Sequence, residues 1–239
     1  MKLYFEGTSH GVPEKDRFCT CTVVEAGGKY YAIDAGGPLV DFLIRRGIHP
    51  DGLAAIFITH VHSDHVAGLA GTTDLFTWYF KNTDPHIFTP EQRLLDGLYA
   101  WNRMLYGERA RHFRSTVFEE GEIFNDGTLR VRAIRTQHTP HSFSFLLEAE
   151  GKRVLFTGDL KRPEVDFPTV CFEEACDAIV GECAHFPATA YAPIFEKCKC
   201  KNFYLHHIYP RQQASIDELL AMEKPYTVTP LTDGYALEI

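Results

Sequence analysis

The chain has 239 residues, of which 45% are hydrophobic and 23% are charged, a composition typical of a globular protein with a substantial core. Its formal net charge of -8 would repel a polyanion such as RNA or DNA, so the bulk properties favour a small-molecule substrate. No apolar stretch has the length of a signal peptide or a membrane span, which predicts a cytoplasmic protein. Without a linker, repeat or change of composition, residues 1–239 are expected to form one domain.

Short β-branched and aromatic runs alternate with helical patterns along the chain, which predicts a mixed α/β fold. The predicted strands are 2–5, 20–25, 30–34, 55–59, 87–89, 129–135, 143–148, 154–157, 178–181, 203–206 and 226–229. The predicted helices are 38–46, 68–81, 90–106, 189–199 and 216–222. Ser215 and Glu218 form a capping-box pattern at the start of the last helix. The closely spaced early strands favour antiparallel hairpins, and the helices suggest outer layers on a core of two sheets.

Seven cysteines in a chain without an export signal predict free thiols and not a disulfide framework. Two pairs with one residue between them, Cys19 with Cys21 and Cys198 with Cys200, could contribute to a structural zinc site. This spacing is a weak signal for zinc. Buried cysteines also behave as small hydrophobic residues, and this alternative is favoured.

The residues that carry chemistry are concentrated in the segment 60–65, HVHSDH, which follows an apolar predicted strand and precedes a predicted helix. Ligand sites of α/β proteins lie at such strand ends. His60 and His62 project to the same side of an extended backbone and can hold one ion, while Asp64 and His65 can serve a second. Without a metal, these four polar groups would compete for few partners. The segment therefore predicts a metal site.

Three further candidate ligands, His138, Asp159 and His207, each follow a later predicted strand. Together with the HxHxDH motif, they appear in an order that resembles the metallo-β-lactamase superfamily, and the resemblance extends over residues 7–207. It implies a four-layer αββα sandwich in which two divalent ions, zinc or manganese, supply hydroxide for hydrolysis. His62 also stands where oxygen-reducing di-iron members carry glutamate, which disfavours redox chemistry.

By position, the resemblance implies seven metal ligands in two groups that share one carboxylate. The first ion would be held by His60, His62 and His138, the second by Asp64, His65 and His207, and Asp159 would bridge them. Asp64 is also counted among the catalytic residues. His206 competes with His207 for the last position, and because neighbouring residues of a strand face opposite sides, only one of them can face the metals.

Several segments resemble the phosphodiesterase branch that contains the transfer-RNA 3'-processing ribonucleases and the cyclic-phosphate phosphodiesterases of phosphonate metabolism. They are the loop 7–13, the segment 158–163, the segment 182–185 and an arginine, Arg211, four residues after His207. This resemblance makes His185 the candidate general acid and Arg211 the candidate phosphate-binding residue. The alternatives are that His185 caps the following helix and that Arg211 is a surface residue.

The resemblance implies a phosphodiesterase that acts on a small phosphodiester, cyclic ones included. Only a hairpin-sized segment separates His138 from Asp159, which leaves no room for the arm that binds transfer RNA in the bacterial ribonucleases. Transfer RNA is therefore disfavoured as a partner, no membrane partner is expected, and a homodimer is left open. The alternatives are a lactonase or thioesterase with the same dinuclear site, and a metal-binding scaffold without activity. An aromatic-rich stretch at 72–114 could cover the cleft or belong to helix packing.

Overall fold

The computed structural model describes residues 1–239. Its strands are β1 (Lys2–Gly7), β2 (Cys21–Ala26), β3 (Lys29–Ile33), β4 (Leu53–Phe57), β5 (His86–Thr89), β6 (Ser115–Val117), β7 (Gly121–Asn125), β8 (Arg130–Arg135), β9 (Phe143–Ala149), β10 (Lys152–Phe156), β11 (Ala178–Cys183), β12 (Asn202–Ile208), β13 (Thr227–Pro230) and β14 (Tyr235–Glu238). Its helices are α1 (Leu39–Arg45), α2 (Ser63–Val66), α3 (Gly68–Trp78), α4 (Gln92–Tyr106), α5 (Pro163–Asp166), α6 (Val170–Glu173), α7 (Ala192–Phe195) and α8 (Gln213–Ala221). No helix combines the length and the apolar character needed to cross a membrane.

The strands form two seven-stranded sheets of mixed direction. The first sheet has the order β14-β1-β2-β3-β4-β5-β6, and the second has the order β13-β12-β11-β10-β9-β8-β7. Neighbouring strands from β1 to β3 are antiparallel, as the sequence predicts, whereas β3 to β6 run parallel. The second sheet repeats this division, because β7 to β10 are antiparallel and β10 to β13 are parallel.

Three apolar clusters define four layers. A cluster of 23 buried residues fills the space between the two sheets and includes Phe5 and Phe57 of the first sheet and Phe145 of the second. A cluster of 15 buried residues packs the first sheet against α1 and α3, and a cluster of 21 packs the second sheet against α6, α7 and α8. Each fully buried phenylalanine contributes about 1.5–3 kcal/mol to folding. The layers are therefore helix, sheet, sheet and helix, which confirms the predicted αββα class.

The predicted elements differ from the structure where local patterns are short or exposed. All eleven predicted strands overlap observed ones, but β6, β7 and β14 were not predicted. The predicted helix 189–199 is a 3₁₀ turn, Ala188–Tyr191, followed by the single turn α7. The capping box is wrong: α8 begins at Gln213, and the Ser215 hydroxyl accepts a hydrogen bond from the Ala188 N–H at 2.9 Å. The Ser215 hydroxyl therefore makes a tertiary contact and does not cap the helix.

Close backbone packing aligns the strand ends at one edge of the sandwich. Gly36 lies against the Asp64 carbonyl oxygen so tightly that a Cβ there would be 1.6 Å from it. Gly158 has φ +57° and would place a Cβ 2.6 Å from the Phe143 carbonyl oxygen. Glycine is required at both positions, because neither has space for a Cβ and Gly158 also has a left-handed backbone. Each glycine fixes the loop of a candidate ligand, Asp64 in one case and Asp159 in the other.

Candidate metal centre

The structure brings the side chains of all seven predicted ligands together. In the first group, His62 Nδ1 lies 3.0 Å from His60 Nε2 and 3.1 Å from His138 Nε2. Asp159 Oδ2 lies 3.6 Å from the same atoms of His60 and His138. Four ligands at about 2.1 Å from a tetrahedral ion stand about 3.4 Å apart, so the spacing fits one divalent ion.

The second group shares the Asp159 carboxylate with the first. His65 Nε2 lies 3.5 Å from Asp64 Oδ2 and 3.5 Å from Asp159 Oδ2. His207 completes the group, with Nε2 at 2.9 Å from Asp64 Oδ2. Since Asp159 Oδ2 stands at about the same distance from members of both groups, it has the position of a bridge between two ions.

Unpartnered polar atoms in the interior support this reading. His65 Nε2, Asp159 Oδ1 and His207 Nδ1 are buried and have no hydrogen-bond partner in the protein. A buried polar atom without a partner costs about 1–3 kcal/mol, so such a cluster needs something to bind. Burial also lowers the pKa of His60 and of His138, which keeps both imidazoles in the neutral form that binds metal. The donor set therefore fits divalent metal ions.

Asp34, which the sequence analysis did not single out, orients one of the candidate ligands. Its carboxylate lies 2.8 Å from His65 Nδ1 and also accepts hydrogen bonds from the backbone N–H and the hydroxyl of Thr59. Asp34 therefore holds the proton on Nδ1 and leaves Nε2 of His65 free for the metal. Its backbone has φ +56°, uncommon for a residue other than glycine. The sequence signal that could have identified Asp34 was its position at a strand end, shortly before Gly36 and Gly37.

Asp34→Ala should weaken metal binding by about 10- to 100-fold, as loss of such a hydrogen-bonded carboxylate does in other metal sites. Competition with a chelator of known affinity would measure this change. Asp126→Ala is the matched control, because Asp126 also accepts hydrogen bonds, from Lys29 and Tyr31, but lies in the turn at the opposite end of β8 from His138. Equal metal affinity in both variants would contradict the role of Asp34.

The side chains of His206 and His207 lie in different environments, but the regular alternation of side chains along a strand does not explain this difference. The pairing of β11 with β12 shifts by one residue, because Cys183 pairs with Ile208 and not with His207. His207 is the extra residue of this bulge and has φ +50°. His206 lies 2.9 Å from the Gly7 carbonyl oxygen, through Nε2, and packs against Phe5. Burial lowers the pKa of His206 to about 3, so it is a neutral donor in the core.

His207→Ala should lower the metal content of the folded protein, whereas His206→Ala should leave it largely intact. His206→Ala should instead reduce thermal stability, because it removes the hydrogen bond to the Gly7 carbonyl and opens space beside Phe5. Elemental analysis of each variant, together with its melting temperature, separates the two effects. The reverse pattern of metal content would move the ligand assignment by one residue.

The predicted general acid, His185, lies beside the ligand cluster. Its Nδ1 is 2.8 Å from Glu182 Oε2 and 3.8 Å from Asp159 Oδ2. Burial opposes protonation, but the hydrogen bond to Glu182 outweighs it and raises the pKa of His185 to about 9. Glu182 is itself buried and accepts hydrogen bonds from the backbone N–H groups of Leu160 and Ala184. This saturated carboxylate favours a protonated His185 over its use as a further metal ligand.

The predicted phosphate-binding residue, Arg211, is exposed and forms no ion pair with a carboxylate. Its guanidinium carbon lies 5.4 Å from the centre of the Tyr209 ring, and the His10 ring packs near Tyr209 with ring centres 4.2 Å apart. Gln212, the next residue, donates a hydrogen bond to the carbonyl of Ala184, which precedes His185. Arg211 therefore sits on the turn that packs against the His185 loop, with its cation free for an anion.

The aromatic-rich stretch divides between core and surface. Phe76 is buried between the first sheet and its helices, as helix packing predicts. Trp78, Tyr79 and Trp101 are each at least 43% exposed, which helix packing does not explain. None of these three residues makes an aromatic or hydrogen-bond contact with a candidate ligand, so the structure gives no support to a cover over the cleft.

The sequence matches the model of a known family over most of its length. A family model described as anti-Pycsar protein Apyc1 matches residues 1–209. The chain belongs to the Apyc1 family. Individual proteins resemble this Apyc1-family chain as well. Ribonuclease Z of Nitrosopumilus maritimus is 28% identical over 171 residues, which cover 70% of this chain and 56% of that protein. The chain thus matches little more than half the length of this relative.

Solved structures resemble the Apyc1-family chain over its full length. The short form of human tRNase Z superposes with a TM-score of 0.79 at 20% identity and covers 100% of this chain and 99% of its own. The metallo-β-lactamase fold protein YhfI from Bacillus subtilis gives 0.78 at 16% identity, covering 99% and 98%. The predicted metallo-β-lactamase fold and the resemblance to ribonuclease Z are confirmed.

Proposed function

We propose that this Apyc1-family protein is a dinuclear metallohydrolase that cleaves a small phosphodiester, cyclic diesters included. The observation that carries the proposal is the position of Asp159. Its Oδ2 lies within 3.6 Å of ligand atoms from both groups and 3.8 Å from His185 Nδ1. Two ion positions and a candidate acid therefore converge on one carboxylate, an arrangement that serves hydrolysis better than simple metal storage.

The residues of the chain would divide the chemistry among them. When bound, the two ions supply hydroxide at neutral pH and stabilise negative charge on the phosphoryl oxygens. The carboxylates of Asp64 and Asp159 would hold the ions in place and offset part of their positive charge. His185, with Nδ1 held by Glu182, has Nε2 available to give a proton to the leaving oxygen. Arg211 would bind a phosphoryl oxygen pair through its planar guanidinium group.

We propose zinc or manganese as the metals. The first group offers three imidazoles and one carboxylate, and imidazole suits zinc better than magnesium or calcium. The second group offers two imidazoles and the carboxylate of Asp64 besides the shared Asp159, which manganese also accepts. Elemental analysis of protein reconstituted with each metal, followed by activity measurement, distinguishes them.

A small substrate is proposed over transfer RNA for two reasons. The segment between His138 and Asp159 contains only the β9–β10 hairpin, and the net charge is -8. Both features weaken binding of a large polyanion. Because the chain has ribonuclease Z relatives, transfer RNA is the alternative substrate. A single domain over 1–239 and a cytoplasmic location stay predictions, and a homodimer stays open.

The test compares a generic phosphodiester with a generic lactone and a generic thioester, using metal-depleted protein as the control. Hydrolysis of the diester that disappears on metal removal and returns with zinc or manganese supports the proposal. Efficient lactone or thioester hydrolysis with background diester hydrolysis would favour the lactonase or thioesterase alternative. Two bound ions with no turnover of any ester would favour the scaffold.

Arg211→Ala should lower kcat/KM on the phosphodiester by about 10- to 150-fold, because a charge-assisted hydrogen bond is worth about 1.5–3 kcal/mol. A neutral lactone should be affected far less. Steady-state kinetics on both substrates measures the difference. Arg109→Ala, which removes an exposed arginine from the turn after α4, is the matched control and should leave both rates unchanged. A similar loss on both substrates, or none on the diester, would argue against phosphate binding by Arg211.

A further inference from the structure

Two cysteines outside the metal centre lie in direct contact. Cys171 of α6 is buried, and Cys198, which follows α7, is half-buried. Their Sγ atoms are 3.4 Å apart, the one sulfur–sulfur hydrogen bond among the seven free cysteines. The backbone already joins the two segments, because the Lys199 N–H donates to the Cys171 carbonyl at 2.7 Å. A bond of about 2.05 Å between the sulfurs would therefore need mainly side-chain movement.

The charge around Cys198 favours reaction with an anionic thiol reagent. The segment 196–201 reads EKCKCK, so three lysines and one glutamate give a local charge of 3 − 1 = +2 in a chain whose net charge is -8. The flanking Lys197 and Lys199 are exposed. Positive surroundings attract an anionic reagent, and partial exposure lets that reagent reach the sulfur. Cys198 has both properties, whereas Cys171 has neither.

We propose that Cys198 and Cys171 form a thiol-modification site for low-molecular-weight disulfides of the glutathione class. The Cys198 thiolate attacks one sulfur of glutathione disulfide, the glutathione S–S bond breaks, and one glutathione leaves with the proton that Cys198 gave up. Cys171 then attacks the Cys198 sulfur of the mixed disulfide. The Cys171–Cys198 bond forms, and the second glutathione leaves with the Cys171 proton. The protein loses two electrons, which reduce one glutathione disulfide to two thiols.

The order of the two steps follows from the surroundings of each thiol. The hydrogen bond with Cys198 and burial raise the pKa of the Cys171 thiol well above its usual range, so Cys171 does not react first. Modification of Cys198 removes the main cause of the raised pKa of Cys171, the hydrogen bond between the two thiols, because the Cys198 sulfur is then part of a disulfide. Cys176 and Cys200 are buried in the same apolar cluster as Cys171, but neither forms a hydrogen bond with another sulfur. They therefore serve as internal controls.

Closing this bond would tie α6 to the segment before β12 and restrict a loop of 198 − 171 + 1 = 28 residues. A cross-link over such a loop should raise the melting temperature by about 5–10 °C, since it constrains the unfolded chain. A reducing agent should reverse the change. The site is independent of the proposed hydrolysis, because none of the candidate ligands takes part.

The full chain, reduced and then incubated with glutathione disulfide, tests the proposal by intact mass and by peptide mapping. The wild type should lose two hydrogens and contain a peptide pair joined through Cys171 and Cys198. Cys171→Ser should stop at a glutathione adduct on Cys198, and Cys198→Ser should not react at either position. Cys176→Ser and Cys200→Ser should behave as the wild type. If Cys171→Ser does not fold, Cys171→Ala takes its place. A stable glutathione adduct on wild-type Cys198, or no reaction there, would overturn the proposal.

Discussion

Asp159→Asn should reduce kcat/KM by about 10²- to 10⁴-fold, because breaking a buried charge pair costs about 3–5 kcal/mol. Asparagine has nearly the same shape, so packing in the interior should change little. It removes the negative charge that both ligand groups share, since Asp159 Oδ2 is 3.6 Å from His60 Nε2 and 3.5 Å from His65 Nε2. Both ions should therefore be bound more weakly.

The measurement combines elemental analysis with kinetics at saturating metal. His138→Ala is the comparison, because His138 contacts only the first group and its loss should affect chiefly one ion. Asp159→Asn should lose more metal and more activity than His138→Ala. A variant at Asp159 that kept two ions and most of its activity would show that this carboxylate does not bridge them.

His185→Ala should slow cleavage of a phosphodiester with an alkyl leaving group by about 10²- to 10⁴-fold, the range of general acid catalysis. The effect should be much smaller when the leaving group is a nitrophenolate, which departs without a proton. Metal content should stay at the wild-type level, because the Nδ1 of His185 is engaged by Glu182. The comparison of the two substrates thus separates proton donation from metal binding.

Glu182→Gln provides the matched control for His185. Glutamine keeps one acceptor oxygen, which can serve the backbone N–H of Leu160 or that of Ala184, and it removes the charge that favours a protonated imidazole. It should lower the rate on the alkyl diester in the same direction as His185→Ala and spare the nitrophenyl diester. An equal loss on both diesters, or loss of metal, would assign a structural role to this pair.

The candidate ligands could be predicted from the sequence because metal chemistry restricts residue types strongly. His60, His62 and Asp64 stand in a compact motif, and His138 and Asp159 occur after strands in a recognisable order. The hydrogen-bonding partners Asp34 and Glu182 could not be predicted in the same way. An acidic residue at a strand end is common, and its importance here depends on a neighbour distant in sequence, such as His65 for Asp34.

The fold was predictable where burial is repeated along a strand. Buried strands such as β4 and β11 show apolar patterns. In contrast, β7 and β14 are partly exposed edge strands of their sheets, so their apolar patterns are weak. The start of α8 could not be read from local residues, since Ser215 binds the distant Ala188 N–H. The bulge at His207 could not be predicted either, although the resemblance that places an arginine four residues after the ligand selected the same histidine.

The ligand cluster draws its members from both halves of the sandwich. His60, His62, Asp64 and His65 follow β4 of the first sheet, while His138, Asp159 and His207 follow or end strands of the second. On the proposed assignment, the ions would connect the two sheets. Folding and metal binding would therefore be thermodynamically linked. At a free metal concentration a hundred times the dissociation constant, each site would add about 2.7 kcal/mol to the free energy of unfolding. The stability of this protein would then vary with the metal supply around it.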